Sequence, residues 1–455
     1  MPVVRSCCAI IAALCISGCA SQSVPVKPGE PRVLSLPPAG ARVQPPGGGD
    51  AAAGRGLPSG SITLRDALAA ALMCSPGLAA SGWEIRAAEA RTLQASLRPN
   101  PEIEAEVEEF GGRGERAGFG AAESTLRLSQ LLELGGKRGR RQRVAAASAA
   151  LAGWDYEARR LDVLTDVAKA FVDVLAAQQQ IELAGEALEL AGEMQRAAVE
   201  RVKAGKVSPV EETRANVAAA AGRIELEQAR SGLEAARTRL ATLCGAAEPA
   251  FDRAEGSLYA TAALPQDALV FAQISANPDV ARWAAEIEQR RAALNLERAK
   301  RTPDVTVSAG LWRTHEANES AFVAGVSIPL PLFDRNQGAV REAMSNLAKA
   351  GEERRAAELK AVRELADAWE ALVSAHTEAA ILSNEVLPGA QSAFDAAREG
   401  YRQGKFDFID AIDARRTLIE SKSRHIRALA QYHKAVSDIE RLTGQPMDFA
   451  RSNEQ

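Results

Sequence analysis

Several features that common protein classes require are scarce in this chain of 455 residues. Aromatic residues make up only 4% of it, although hydrophobic residues reach 46%, because much of that fraction is alanine. So few large side chains argue against a large conventional globular core, whereas alanine suits close packing between long helices. After the N-terminal region no run of 18 apolar residues occurs, so the sequence contains no candidate for a transmembrane helix.

The sequence shows no sign of nucleic-acid binding, of a metal site or of catalysis. The formal net charge of −4 gives no basic surface, so we expect no nucleic-acid partner. The four histidines (His315, His376, His425 and His433) lack the spacing of a metal site, so a metal would be cargo and not a bound cofactor. The sequence also lacks a phosphate loop, a nucleophile elbow and an H-E-x-x-H motif. We therefore expect neither an enzyme nor a cofactor.

The first 18 residues are typical of a signal peptide. Arg5 precedes an apolar run that has the length of a signal-peptide core and is too short to cross a bilayer. The run ends in Ile-Ser-Gly-Cys19, which resembles the bacterial lipobox, whose cysteine becomes the lipidated first residue. We expect cleavage of residues 1–18, palmitate on Cys19, and a tether rich in proline and glycine over 19–60. A plain signal peptide that happens to contain cysteines is the alternative.

Two further cysteines follow the tether, Cys74 and Cys244. They lie near opposite ends of the first half of the remaining chain, and neither has a metal-type spacing such as C-x-x-C. We expect two buried thiols, with a disulfide as the alternative.

The rest of the sequence consists of two similar halves. Pro76 and Pro278 are 202 positions apart, and further along Gly205 and Gly404 are 199 positions apart. A nearly constant offset of this length indicates two copies of one substructure. The predicted segments are a first repeat over 61–250, a second repeat over 251–447 and a tail over 448–455.

Each half contains two segments with the alternation of β-strands. Residues 102–108 and 124–131 alternate apolar with polar side chains, and the second half repeats this pattern over 305–311 and 322–328. Strands of about nine residues match the tilted strands of outer-membrane proteins. Four strands cannot close a barrel alone, whereas three chains would supply twelve. Two soluble hairpins packed on helices are the alternative.

A long helix pair follows the strands in each half. From 139 to 203 the helical pattern is uninterrupted by proline, and about 65 residues would reach roughly 100 Å. A return helix is predicted over 209–243. The second half predicts helices over 337–403 and 408–442, with a kink or break at Pro388. Helices this long must bury their seams by coiled-coil-like packing.

A glycine marks the turn at the end of each helix pair. Gly205 and Lys206 in the first half match Gly404 and Lys405 in the second half. Glycine ends a helix in the left-handed conformation at little steric cost. The two lysines could pair with acids across the tips, although solvated charges are the more common explanation.

These features together resemble the TolC-type outer membrane efflux proteins. The resemblance rests on the two halves with their hairpins and long helix pairs, the lipobox, and the Tyr401-x-x-Gly404 tip, and it covers about residues 61–447. It implies a mainly α-helical fold with a β-barrel portion, in which a homotrimer forms a shared twelve-stranded barrel in the outer-membrane lipid and a long α-helical tunnel in the periplasm. It also implies a periplasmic adaptor protein and an inner-membrane RND-type pump as partners.

The resemblance assigns roles to residues at the periplasmic gate. Tyr401 matches the tip tyrosine, and Asp410 and Asp413, which share one helix face, match two acidic rings of the constriction. Three copies of each carboxylate would favour cations over anions. Phe406 stands where one family member has a gating arginine. Glu211, which matches Asp410 in the first half, is the candidate lock partner. The alternative is that both aspartates only cap or solvate their helix.

Two segments resemble the heavy-metal branch of the family, the cobalt–zinc–cadmium and copper–silver type channels. They are residues 328–338 and 406–416. The expected function is export of divalent heavy-metal cations from the periplasm to the outside. A channel for drugs, dyes or type I secretion is one alternative, and a lipidated periplasmic adaptor or scaffold is another. An adaptor needs only one helical hairpin and no lipid-facing strands, so the duplication favours a channel.

Overall fold

The computed structural model describes residues 59–265, 270–271 and 277–444. The predicted signal peptide, Cys19, nearly all of the tether and the tail lie outside the described residues. Among the described helices, none combines the length and apolar character needed to cross a membrane.

The first repeat begins with short elements and ends in a long helix pair. Its elements are β1 (Gly60–Thr63), α1 (Leu64–Cys74), α2 (Pro76–Ser96), β2 (Glu102–Glu108), β3 (Glu123–Leu132), α3 (Lys137–Lys203) and α4 (Pro209–Leu243). Helix α1 starts at Thr63 because the Thr63 hydroxyl accepts from the Asp66 N–H, and the Asp66 carboxylate accepts from the Thr63 N–H. The 67 residues of α3 correspond to a length of about 100 Å.

The second repeat follows a similar order, with one described helix before its strands and with its first long helix divided in two. Its elements are β4 (Phe251–Glu255), α5 (Pro278–Lys300), β5 (Val305–Thr314), β6 (Glu319–Ser327), α6 (Gln337–Ile381), α7 (Leu387–Gln403) and α8 (Phe408–Thr443). A π-helical turn, Leu382–Val386, joins α6 to α7 and ends two residues before Pro388. Proline lacks the N–H that the helix ladder needs, so the interruption predicted there takes the form of a π-turn. Strands β1 and β4 pair in parallel and so connect the two repeats.

The four long strands form one antiparallel sheet in the order β2-β3-β5-β6. Ala105, Leu126, Leu311 and Phe322 are direct neighbours across all four strands. Their face is apolar and open, and Phe322 is 90% exposed. The opposite face is polar, and on it Arg127 binds Glu104 at 3.1 Å. The predicted alternation is therefore confirmed, and the sheet separates an apolar face from a charged one.

Helix α3 is the centre of the helical packing, in contact with α2, α4, α5 and α8. The main core lies where α1, α3, α4 and α8 meet the β1–β4 pair, around Val167, Phe171, Leu240 and Phe251. The buried alanines of α3, such as Ala187, let neighbouring helices approach closely. The mainly helical fold with one sheet of four long strands per chain agrees with the fold class expected from the sequence.

Ion pairs tie α3 to α8 along the seam between the two repeats. They join Asp162 to Arg441 (2.7 Å), Asp173 to Lys434 (2.5 Å) and Glu186 to Lys422 (2.6 Å). Because each pair links a helix of one repeat to a helix of the other, the seam fixes how the two helix pairs lie side by side. Toward the tips this seam leads to the candidate gate residues.

Candidate functional site

The two helix-pair tips are built alike. Gly205 and Gly404 both have positive φ, +66° and +76°. The Lys206 N–H donates to the Arg201 carbonyl oxygen at 2.9 Å, and the Lys405 N–H donates to the Gly400 carbonyl oxygen at 2.8 Å. These are the bonds of a Schellman turn, which satisfies the last carbonyls of a helix. The two equivalent tip turns predicted from the sequence are present.

Tyr401 lies between the two tips and contacts both. Its side chain is 3% exposed and packs against Phe408, with the ring centroids 5.5 Å apart. Its hydroxyl donates to Glu211 Oε2 at 3.3 Å, so the structure brings these two predicted residues together. Burial raises the pKa of Tyr401, and the nearby Glu211 charge raises it further. The hydroxyl therefore keeps its proton as a donor.

Arg201 completes this contact from α3. Its guanidinium carbon lies 4.4 Å from the centre of the Tyr401 ring, and its Nη1 donates to the Tyr401 carbonyl oxygen at 2.7 Å. A cation over an aromatic face and a charged donor on a carbonyl oxygen both stabilise this contact between the tips. We call Arg201, Glu211 and Tyr401 the tip latch. The sequence had pointed to Tyr401 and Glu211, but not to Arg201.

Phe406 packs on the turn of the second tip and supplies no cation there. Its ring lies directly against Gly400, where an added Cβ would come within 2.2 Å of the ring. The residue is 48% exposed, so the ring covers the turn from outside. The cation in contact with Tyr401 comes instead from Arg201, in the other repeat.

Asp410 and Asp413 lie at the start of α8, and both are exposed in the single chain. The Asp410 carboxylate accepts from the Asp407 N–H at 3.2 Å and thereby caps the helix. Glu211 is the equivalent of Asp410 at the 199-residue offset, yet it binds Tyr401 across the tips. Lys206 and Lys405 are exposed, and neither is within ion-pair distance of a described carboxylate.

Arg415 is a second residue that the sequence did not single out. From α8, its Nη1 donates to the Ala187 carbonyl oxygen of α3 at 2.9 Å. Its Nε is buried, and no described group accepts from it. Burial lowers the pKa of Arg415, while Glu225 acts in the opposite direction. An arginine held this way links the two helix pairs about 20 Å along α3 from Arg201.

The four histidines lie apart in the structure. Within the described residues no group of three or more metal-binding side chains occurs. His425 is buried on α8 with its ring 5.9 Å from that of Tyr259, and His433 contacts the Leu258 carbonyl oxygen at 2.9 Å. These contacts are typical of residues that support packing.

His425 should make stability depend on pH. Burial lowers the pKa of His425 below its ordinary value, so folding favours the neutral ring. That contribution is complete above about pH 6.5 and is lost as the pH falls through 6.5 toward the folded-state pKa. We expect thermal unfolding followed by circular dichroism to give a lower Tm at pH 5 than at pH 7, and His425→Gln to reduce that difference. His315→Gln, at an exposed loop position, is the control, and equal slopes in both variants would contradict the assignment.

Most of the chain matches one known protein family. The model of the family described as outer membrane efflux protein matches residues 67–246 and 270–445. The chain belongs to this family. It is 37% identical over 386 residues to the cobalt-zinc-cadmium resistance protein CzcC of Cupriavidus metallidurans, covering 85% of this chain and 91% of that protein.

The chain is also similar to two other outer-membrane proteins. The chain is 25% identical over 415 residues to the pyoverdine export outer membrane protein OpmQ of Pseudomonas aeruginosa, covering 85% of this chain and 86% of that protein. The solved structure of the outer-membrane channel OprN superposes with a TM-score of 0.73, covering 84% of this chain and 89% of that chain at 21% identity. The latter similarity concerns the fold. The protein is thus an outer-membrane efflux channel with a periplasmic helical extension, and its family implies a trimer working with an adaptor and an RND-type pump.

Proposed function

We propose that this channel exports divalent heavy-metal cations from the periplasm to the outside, as the outer-membrane part of a tripartite RND-type system. The main support for this cargo is the 37% identity to a cobalt-zinc-cadmium resistance protein over 91% of its length. The exposed carboxylates of Asp410 and Asp413 support it, because acidic rings at a constriction favour cations.

The four-stranded sheet supports a homotrimer in the outer membrane. Strands β2 and β6 are its two edges, and an edge strand offers unpaired N–H and C=O groups to another strand. Three sheets joined edge to edge would give twelve strands in a closed barrel. The apolar face around Leu311 and Phe322 would then meet lipid, and the face with Glu104 and Arg127 would line the lumen.

The tips offer a surface for a periplasmic adaptor. Val210 and Ile409 are equivalent at the 199-residue offset, and they are 54% and 56% exposed. Apolar side chains exposed at both tips suit a protein partner better than water. We infer that the adaptor docks here and that docking separates Tyr401 from Glu211, which opens the gate.

The acidic pair should set ion selectivity. Asp410→Asn with Asp413→Asn removes six negative charges from the proposed trimer, while the amide oxygen introduced at position 410 can still accept from the Asp407 N–H and preserve the cap. We expect the cation-to-anion permeability ratio in planar bilayers to fall several-fold. Asp395→Asn, at an exposed position on α7, is the control. Unchanged selectivity in the double variant would remove both residues from the constriction.

The cargo is tested by growth of a strain that lacks the gene. We expect sensitivity to zinc, cobalt or cadmium that the intact gene reverses, with normal tolerance of detergents and dyes. The second candidate is a drug, a dye or a secreted protein as the cargo, and the 25% identity to a pyoverdine export protein favours a cargo other than free metal cations. Sensitivity to detergents or dyes alone would transfer the cargo to that candidate while leaving the channel intact.

We also propose that lipid on Cys19 anchors the mature chain, because Ile-Ser-Gly-Cys19 matches the lipobox pattern. Radioactive palmitate should label the wild type, and Cys19→Ser should abolish the label. Cys74→Ser is the control and should label normally. Persistent labelling of the Cys19→Ser variant would refute the anchor.

A further inference from the structure

The ends of α1 and α4 meet at two cysteines. Cys74 is the last residue of α1, and Cys244 directly follows α4. The Cys244 thiol points toward α1, with its Sγ 3.5 Å from the Ala67 carbonyl oxygen. Ala67 precedes Cys74 by seven residues, or about two helical turns, so both lie on the same side of α1.

Gly245 shows how closely the two chain segments approach. A Cβ added to Gly245 would lie 2.4 Å from the Cys74 carbonyl oxygen and 3.3 Å from the Cys74 Cβ. The backbone next to Cys244 therefore touches Cys74 itself. Gly245 has a φ of +83°, which lets the chain turn at this contact without a side chain in the way. Cys74 and Cys244 are therefore neighbours where the two helices end, close enough for Cys74 to act on the Cys244 thiol.

We propose that Cys74 and Cys244 form an intrachain disulfide after export, which joins the end of α1 to the end of α4. Both are reduced in the structure. They are the only cysteines after position 19, so no other thiol of the folded body competes for either partner. The periplasm, where the helical part of this outer-membrane channel resides, is an oxidising compartment in which disulfides persist.

The exposure of the two thiols determines which of them reacts first. Cys244 is 1% exposed, and burial raises the pKa of its thiol to about 11, so it forms a thiolate poorly. Cys74 is partly exposed. Its thiolate attacks the disulfide of a periplasmic thiol-oxidising protein and displaces one thiolate of that protein. Cys244 then loses its proton and attacks the Cys74 sulfur of the mixed disulfide. The products are the Cys74–Cys244 bond and the oxidant as a dithiol, so two electrons and two protons leave the channel.

The second repeat connects the corresponding segments differently. At the repeat offsets, Ala276 and Thr443 stand where the first repeat has its cysteines. Two residues from Thr443, Arg441 binds Asp279 at 2.5 Å and so links the end of α8 to the start of α5. The same junction is thus held by an ion pair in one repeat. The disulfide would hold it covalently in the other.

The test counts thiols in the full-length protein made in a Gram-negative host and trapped with acid. After denaturation, a maleimide-linked polymer that shifts gel mobility should add two more labels with a reducing agent than without it. Cys74→Ser and Cys244→Ser should each accept one label from the remaining thiol without reduction. Tryptic digestion without reduction should release residues 66–86 joined to residues 240–253, two hydrogen masses below the sum of the two peptides.

Two results would overturn the proposal. One is a wild-type protein that takes both labels without reduction. The other is a reduction-sensitive dimer on the gel in place of the joined intrachain peptides, since it would mean that each cysteine pairs with another chain. Cys74→Ser combined with Cys244→Ser should show the same labelling with and without reduction, which confirms that the difference arises from these two residues. Neither readout depends on the transported cargo, so failure here leaves the proposed function untouched.

Discussion

Replacing Leu311 by arginine is expected to abolish assembly of the trimer in the outer membrane. Leu311 lies in the middle of the apolar face, directly between Leu126 and Phe322 on the neighbouring strands. An arginine at the bilayer midplane costs about 2–4 kcal/mol on the lipid face of a membrane β-protein. Three copies would raise the cost to roughly 6–12 kcal/mol per trimer by the same figure, which is comparable to the whole stability of a typical domain. Heat-modifiable trimers on semi-native gels of outer-membrane fractions measure the outcome.

A matched substitution on the opposite face separates lipid contact from general damage. Thr125 is adjacent to Leu126 in β3, and it pairs with Glu106 on one side and Trp312 on the other. An arginine there would face the polar side, near acidic neighbours, so Thr125→Arg should form normal trimers. Trimers of equal abundance in both variants would mean that the apolar face does not meet lipid. Loss of both would mean that the strand tolerates no large side chain.

The strands and long helices could be predicted because their signals are local. Residues 102–108 alternate without an exception, and the return helix predicted over 209–243 has those bounds in the structure. Proline and glycine fix helix ends through backbone geometry, so the tips at Gly205 and Gly404 also follow from sequence. Because the pattern is duplicated, the same elements could be predicted from each half of the sequence.

Contacts between the repeats could not be predicted in the same way. Strands β1 and β4 are short, and their pairing joins residues about 190 positions apart without any periodic signal. Nothing in its local sequence distinguishes Arg201 from other surface arginines. Its role appears only when Tyr401, 200 positions later, lies beneath its guanidinium group. Glu211 could be predicted because it is the repeat equivalent of Asp410. The internal repeat supplied the signal that the local pattern lacked.

Loss of the tip latch is expected to leave the channel open without its adaptor. We predict that Arg201→Ala combined with Tyr401→Phe raises the open fraction of purified trimers more than tenfold in planar bilayers. The Arg201 donor to the Tyr401 carbonyl oxygen is worth about 1.5–3 kcal/mol, and the cation over the ring adds about 0.5–2 kcal/mol. The bond from the Tyr401 hydroxyl to Glu211 adds roughly 1 kcal/mol. A loss of 1.4 kcal/mol shifts an equilibrium by a factor of ten. Losing half of the summed energy in one protomer is therefore enough to shift the opening equilibrium more than tenfold.

The same variant should admit large antibiotics into cells that lack the adaptor, because the gate no longer excludes them. Lys203→Ala with Lys206→Ala is the matched control, since it removes two charges from the same turn. Lys203 pairs only with the exposed Glu200 among described carboxylates, and neither lysine contacts Tyr401. If conductance and antibiotic uptake in the latch variant equal those of this control, the contact between Arg201 and Tyr401 holds the helices together without gating them. A rise confined to the latch variant would instead mean that the closed state depends on a cation supplied by the first repeat to a tyrosine of the second.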